Sequence, residues 1–171
     1  YYADDDGNLA SGEIKKIKGK YYGFRPDDGN KGASMLTGLC ILQVDNNGKI
    51  QQVIDDDISA EDLDDILDGT YDGSEIGDAW AKAGISLYYF GNNADADGAL
   101  KTGSTAISLD GSSYNFYFSK TGGVEGKGKG VSGIDDNKYI YMYGCRVKAD
   151  SDDKYQLVSV TNVDGDNGAN D

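Results

Sequence analysis

Short apolar and aromatic runs alternate with polar turns along this chain, and a period-two pattern recurs within many of the runs. The clearest stretch is Leu87 to Gly103, LYYFGNNADADGALKTG. Its first four residues predict a strand, and the Asn-, Asp- and Gly-rich segment predicts a turn. Ala99-Leu100 then reads as a short second strand, closed by Lys101-Thr102-Gly103. Asp97-Gly98 supplies the positive φ angles that a tight hairpin turn needs. The same order of features opens the chain at Tyr1 to Gly12 and returns at Tyr21 to Gly38. Glu13 to Lys20 reads as a connecting strand, with Ile14 and Ile17 as its apolar positions. Asn46-Asn47-Gly48 predicts a hairpin over Leu39 to Val53, and Asp110-Gly111 predicts another between Ala106–Leu109 and Tyr114–Phe118. In that last strand Tyr114, Phe116 and Phe118 share one face, while Asn115 and Tyr117 share the other. Lys138 to Gly144 is again an aromatic strand entering a turn. Arg146–Ala149 and Tyr155–Val158 read as a final strand pair.

Asp55 to Gly84 breaks this rhythm. Ser59 is placed to cap a helix whose first turn holds Glu61 and Asp62, with Leu63, Ile66 and Leu67 at helical spacing and Gly69 as the stop. A second helical turn is predicted over Asp78 to Ala83, around Trp80. The predicted fold class is all-β: stacked β-hairpin repeats, solenoid-like, with a small helical insertion. The divisions are hairpin repeats over 1–54, the insertion over 55–86, further hairpin repeats over 87–163, and a frayed acidic tail over 164–171. A lone hairpin is only marginally stable, so such units must rest on their neighbours.

Composition sharpens this picture. Hydrophobic residues are 38% of the 171, and the aromatic share is carried by 13 Tyr against 4 Phe and 1 Trp. Layers of aromatic side chains between short strands suit such a chain better than one thick aliphatic core. The net charge of −14 argues against a nucleic-acid partner, whose binding needs clustered Lys and Arg, and against anionic lipid surfaces. No apolar run approaches the ~20 residues that cross a membrane, so no membrane insertion is expected. The chain begins in mid-pattern at Tyr1-Tyr2, which reads as a piece of a longer chain carrying other domains.

Candidate chemistry is limited. Without any His, the chain lacks the commonest general base and the commonest metal ligand. Cys40 and Cys145 lie far apart, and a disulfide or two buried free thiols both remain open. The Asp-rich turns (Asp4 to Asp6, Asp27-Asp28, Asp95 with Asp97) offer oxygen ligands for Ca²⁺, yet none completes a calcium-loop pattern, and Asp is what turns use anyway. Gly122 to Gly133 lacks the Gly-Lys-Ser/Thr ending of a phosphate loop and reads as a long flexible hairpin loop. Carboxylates are abundant, but nothing in the pattern suggests a rigid cleft to pair them. The expectation is a non-enzyme with no cofactor and no metal site. Tyr2, Tyr22, Tyr89, Tyr117, Tyr141 and Trp80 are the candidate ligand-binding residues. They serve either as a stacking platform for sugar rings or as mutual packing between hairpins.

Tyr88-Tyr89-Phe90, Asp97-Gly98-Ala99-Leu100 and Lys101-Thr102-Gly103 together resemble the cell-wall-binding repeat family of Gram-positive surface proteins, which includes choline-binding and glucan-binding types. Gly19-Lys20-Tyr21-Tyr22 with Leu36-Thr37-Gly38, and Tyr1-Tyr2 with Asp6-Gly7-Asn8-Leu9, carry the resemblance further. About two thirds of the chain is covered, in three clear copies and two degenerate ones. The usual Trp positions of that repeat are not Trp here, and Gly12, Gly38 and Gly103 are not followed by the Gly-Trp element. The resemblance implies a hairpin solenoid that is secreted or associated with the cell wall. It also implies non-covalent binding of a cell-wall polymer or glycan by aromatic stacking between hairpins, the alternative being a spacer or protein-interaction stalk.

Overall fold

A computed structural model describes residues 1–27, 33–91, 98–121, 126–135 and 139–147. The predicted strands over 155–158 and the tail over 164–171 lie outside these residues, as do the turn residues Asp28, Asp95 and Asp97. Among the described residues the chain is mostly β, with every sheet antiparallel and two short helices.

The strands are β1 (Glu13–Ile17), β2 (Lys20–Phe24), β3 (Gly38–Val44), β4 (Ile50–Asp55), β5 (Thr70–Tyr71) and β6 (Ser74–Glu75), followed by β7 (Ile85–Phe90), β8 (Gly103–Leu109), β9 (Ser112–Phe118), β10 (Gly133–Asp135), β11 (Tyr139–Met142) and β12 (Cys145–Arg146). Helices α1 (Ala60–Leu67) and α2 (Ala79–Ala83) lie between β4 and β7. One sheet runs β4-β3-β7, a second runs β10-β11-β12-β9-β8, and β1-β2 and β5-β6 are two-stranded. Glu13 to Lys20 is therefore not merely a connector. Lys18 (φ 50°) and Gly19 (φ 86°) turn β1 directly onto β2, as Asp110 (φ 50°) and Gly111 (φ 83°) turn β8 onto β9. Two positive φ angles in succession match the twist of the flanking strands, which is why Gly stands second in both turns.

A single backbone arrangement recurs five times. In each case an N–H just past a bridged residue donates to the carbonyl just before its partner. The bonds are Ala10 to Tyr2 (2.9 Å), Leu36 to Gly23 (2.8 Å), Lys101 to Tyr89 (2.8 Å), Val131 to Tyr117 (3.2 Å) and Val147 to Ile140 (2.8 Å). The bridged pairs are Ala3–Leu9, Phe24–Met35, Phe90–Leu100, Phe118–Gly130 and Tyr141–Arg146. After the first four comes a positive-φ glycine: Gly12, Gly38, Gly103 and Gly133. The chain then runs into a strand that pairs with the next aromatic strand: Glu13 opposite Phe24, Gly38 opposite Phe90, Gly103 opposite Phe118, Gly133 opposite Tyr141. Two further backbone bonds tie these segments together, Leu100 N–H to the Tyr21 carbonyl (2.8 Å) and Gly130 N–H to the Leu87 carbonyl (2.9 Å).

In the third of these units, the place of a two-residue turn is taken by 45–84. β3 pairs with β7 from Gly38–Phe90 to Gln43–Ile85, and Val44 N–H donates to the Gly84 carbonyl (2.9 Å) at the neck. The helices thus hang from a hairpin end, and β4 hangs with them on the other edge of β3. The Asn46-Asn47-Gly48 turn is as expected: Gly48 takes φ 77°, and Asp45 Oδ1 accepts from the Asn47 (2.9 Å) and Lys49 (3.0 Å) amides.

β3 and β7 are buried on both faces, which accounts for the nearly continuous apolar run Leu39 to Leu42. Leu39, Ile41 and Leu87 join a core with Leu63, Ile66, Ile76 and Trp80 from the insertion and Ile107, Tyr114, Phe116 and Phe118 from β8 and β9. Cys40, Leu42, Tyr88 and Phe90 face a second core, with Ile14, Leu36, Val44 and Ile50. Helix α1 presents Leu63 and Ile66 to the first core, and its start is held twice. Ser59 and Asp62 form a capping box, with Asp62 N–H to Ser59 Oγ (3.1 Å) and Ser59 N–H to Asp62 Oδ2 (2.8 Å). Asp110, in the β8–β9 turn, accepts from the Ala60 amide (2.8 Å). Both cysteines are free and buried, and burial pushes the Cys40 thiol up to about 12.

Tyr88 is 1% exposed, and its hydroxyl has no hydrogen-bond partner among the described residues. The register makes Phe116 its counterpart two residues before the bridged Phe118, and there a phenyl ring suffices. Tyr88→Phe removes an unsatisfied buried oxygen and is expected to stabilise the fold by about 1 kcal/mol, read as a higher urea midpoint at unchanged m-value.

Candidate functional site

The recurring unit sorts the predicted tyrosines into distinct settings. Tyr2, half-buried, lies against Phe24 with ring centroids 6.3 Å apart. Lys15 reaches over the Tyr2 ring at 5.9 Å and stands directly opposite Tyr22 across the β1–β2 ladder. Directly opposed residues share a face, and strand alternation puts Phe24 on that face with Tyr22. Tyr2 and Tyr22 are therefore brought to one face, where the first recurring unit meets the second. Both stay half-exposed.

The others are placed differently. Tyr117 and Tyr141 meet at 6.0 Å with a 54° tilt, and Tyr141 is only 6% exposed. Tyr89 lies on the opposite face of β7 from Tyr88, partly buried against the insertion-side core. It is not the counterpart of Tyr22: Gly23 holds that position, because a Cβ there would sit 2.6 Å from Cζ of Phe90. Trp80 is in the core. It is 9% exposed and sits between Tyr71 (5.4 Å) and Tyr143 (5.3 Å) in edge-to-face geometry. Tyr143 donates its hydroxyl to the Gly77 carbonyl (2.6 Å), fixing the sandwich to the start of α2. With those two rings against it, Trp80 fastens the insertion to the β11–β12 turn rather than offering a face to a ligand.

Two further rings carry cations. Tyr21 lies on the other face of β2, partly buried against the second core, with Lys16 at 5.9 Å and Lys127 at 5.2 Å from its ring centre. Tyr139, 40% exposed, carries Arg146 at 4.4 Å. The available signal was the lysine run at 15–20 in a chain otherwise dominated by acid.

Several acidic groups in the described residues have structural work. Asp4 Oδ1 accepts from the Asp6 (3.0 Å) and Asn8 (2.8 Å) amides, and the Asn8 backbone bond is the main reason its carboxyl lies below the ordinary value. Asp55 accepts from the Tyr71 hydroxyl (2.6 Å), Asp64 from that of Tyr114 (3.1 Å), and Asp56 pairs with Arg25. Burial raises the pKa of Tyr71, and its bond to Asp55 raises it further. This is turn and anchoring chemistry of an ordinary kind. Among the described residues no group of three Asp, Glu or Cys side chains is placed to hold a metal ion. Among the same residues no helix is long and apolar enough to cross a membrane.

Neither a family model nor a curated protein sequence matches the chain.

Proposed function

We propose that the chain is a non-catalytic, wall- or carbohydrate-binding module of a secreted or surface bacterial protein, built from hairpin repeats joined as a solenoid. The carrying observation is the face shared by Tyr2, Lys15 and Tyr22, where half-exposed rings of two successive units lie beside an ammonium group. A flat ring with an adjacent polar donor is suited to the apolar face and hydroxyl rim of a sugar. The repeat arrangement draws support from the five recurrences of one bond. It draws further support from the two bonds between units, at Leu100 and Gly130, which join one unit's closing segment to the previous unit's aromatic strand.

The second reading is a spacer or protein-interaction stalk with no glycan ligand. It is favoured by the packing of Trp80 and Tyr141, which spends two of the six candidate rings on the protein itself. Sedimentation with isolated Gram-positive cell walls separates the two. On the binding reading the chain pellets with walls, an excess of soluble glucan or choline releases it, and Tyr2→Ala with Tyr22→Ala reduces the pelleted fraction severalfold while the fold persists. Protein left wholly in the supernatant would leave the stalk.

A further inference from the structure

We infer that the β1–β2 hairpin is a site for the anionic groups of a glycan polymer, phosphate diesters or carboxylates. This rests on the wall-binding reading and names the chemistry of its ligand. Four of the 16 basic residues, Lys15, Lys16, Lys18 and Lys20, fall within β1, its turn and the start of β2, in a chain of net charge −14. The only acid on the hairpin, Glu13, is engaged by Lys49 at 3.5 Å. Alternation sends Lys15 and Lys16 to opposite faces, and each ends over a tyrosine ring, Tyr2 on one side and Tyr21 on the other.

A second observation is independent of the lysine run. Lys127 comes from the segment between β9 and β10 and converges on the same Tyr21 ring as Lys16. Two remote parts of the chain thus bring ammonium groups to within 6 Å of one aromatic centre. Lys16 and Lys18 are exposed. An aromatic quadrupole eases the approach of one cation to the ring but does not neutralise it. Like charges gathered this way favour an anion between them, and the net acidity of the rest of the chain disfavours a polyanion elsewhere. The result is one docking edge with ammonium groups held over a tyrosine on each face, placed to meet the charges of the polymer. Duplex nucleic acid has a far denser line of charge, which that acidic remainder opposes.

The test uses the whole chain with four probes: poly(glycerol phosphate), polygalacturonate, neutral glucan and a single-stranded oligonucleotide, at low and at high salt. Lys16→Gln with Lys127→Gln is compared with Lys82→Gln on α2, whose side chain is 75% exposed and bonded to Asp78. One or both anionic glycan polymers are expected to bind at low salt and weaken at high salt. The double variant is expected to bind about thirtyfold more weakly, the size expected when two ammonium groups leave an anionic surface, and Lys82→Gln is expected to match the parent. Whichever of the two polymers binds identifies the phosphate or the carboxylate. Walls and neutral glucan bound without either polymer, or equal binding by the double variant, would overturn this inference and leave the wall reading standing. Lysine-dependent polymer binding without retention on walls would do the reverse. Tighter binding of the oligonucleotide than of both polymers would also overturn it.

Discussion

Gly130→Ala is expected to cost about 3 kcal/mol or more, the upper range for overpacking, because there is no side chain that can yield. A Cβ at this position would lie 2.6 Å from the Tyr143 carbonyl carbon and 2.9 Å from the Gly144 nitrogen, both backbone atoms. Gly130 also donates to Leu87 and accepts from the buried Ser86 hydroxyl (3.0 Å), so one backbone group links β7, β9 and the β11–β12 turn. Urea unfolding measures the loss. Gly111→Asn is the matched control, in a turn where nothing lies within 4 Å and where Asn tolerates positive φ. A cost for Gly130→Ala no greater than the control's would show that the backbones do not approach here.

Trp80→Ala is expected to cost 3–5 kcal/mol or so, the usual range for removing a large buried aromatic side chain. The loss falls where the helical segment meets the β11–β12 turn: Trp80 fills the space between Tyr71 and Tyr143, and the Tyr143 hydroxyl reaches Gly77 and the Ala81 amide (3.3 Å) from there. Thermal unfolding and near-UV circular dichroism report the change. Unaltered stability together with lost glycan binding would instead make Trp80 a ligand ring.

Those two residues mark where the sequence was legible and where it was not. Local signals read well: the Asn46-Asn47-Gly48 and Asp110-Gly111 turns, the Ser59 cap, the spacing of Leu63 and Ile66, and the alternation of Tyr114, Phe116 and Phe118 all follow from residue chemistry at short range. Long-range pairing did not read. Nothing local says that β3 passes over forty intervening residues to pair with β7, because β4, the nearer partner, satisfies the same hairpin signal. Gly122 to Gly133 looked like a flexible loop for a related reason. Its described part, 126–133, is built into the fold: Gly128 faces Leu100 with 2.5 Å for a would-be Cβ, and Gly130 faces Tyr143. Glycine there admits a close neighbour from elsewhere in the chain, and composition alone does not separate that role from flexibility.

The candidate site was half legible. Tyr2 and Tyr22 share one half-exposed face, whereas Trp80 and Tyr141 are consumed by packing that depends on partners distant in sequence. Tyr21 carries no local signal of its setting, because its neighbour Lys127 arrives from more than a hundred residues away.

Native-state hydrogen exchange at the Leu100 and Gly130 amides tests most directly whether the recurring units are joined edge to edge. Both amides donate across a unit boundary, to Tyr21 and to Leu87. Both are expected to exchange as slowly as the amides of β3 and β7, through openings that involve whole units. Exchange of either as fast as the exposed Lys18-Gly19 turn would contradict the joined array.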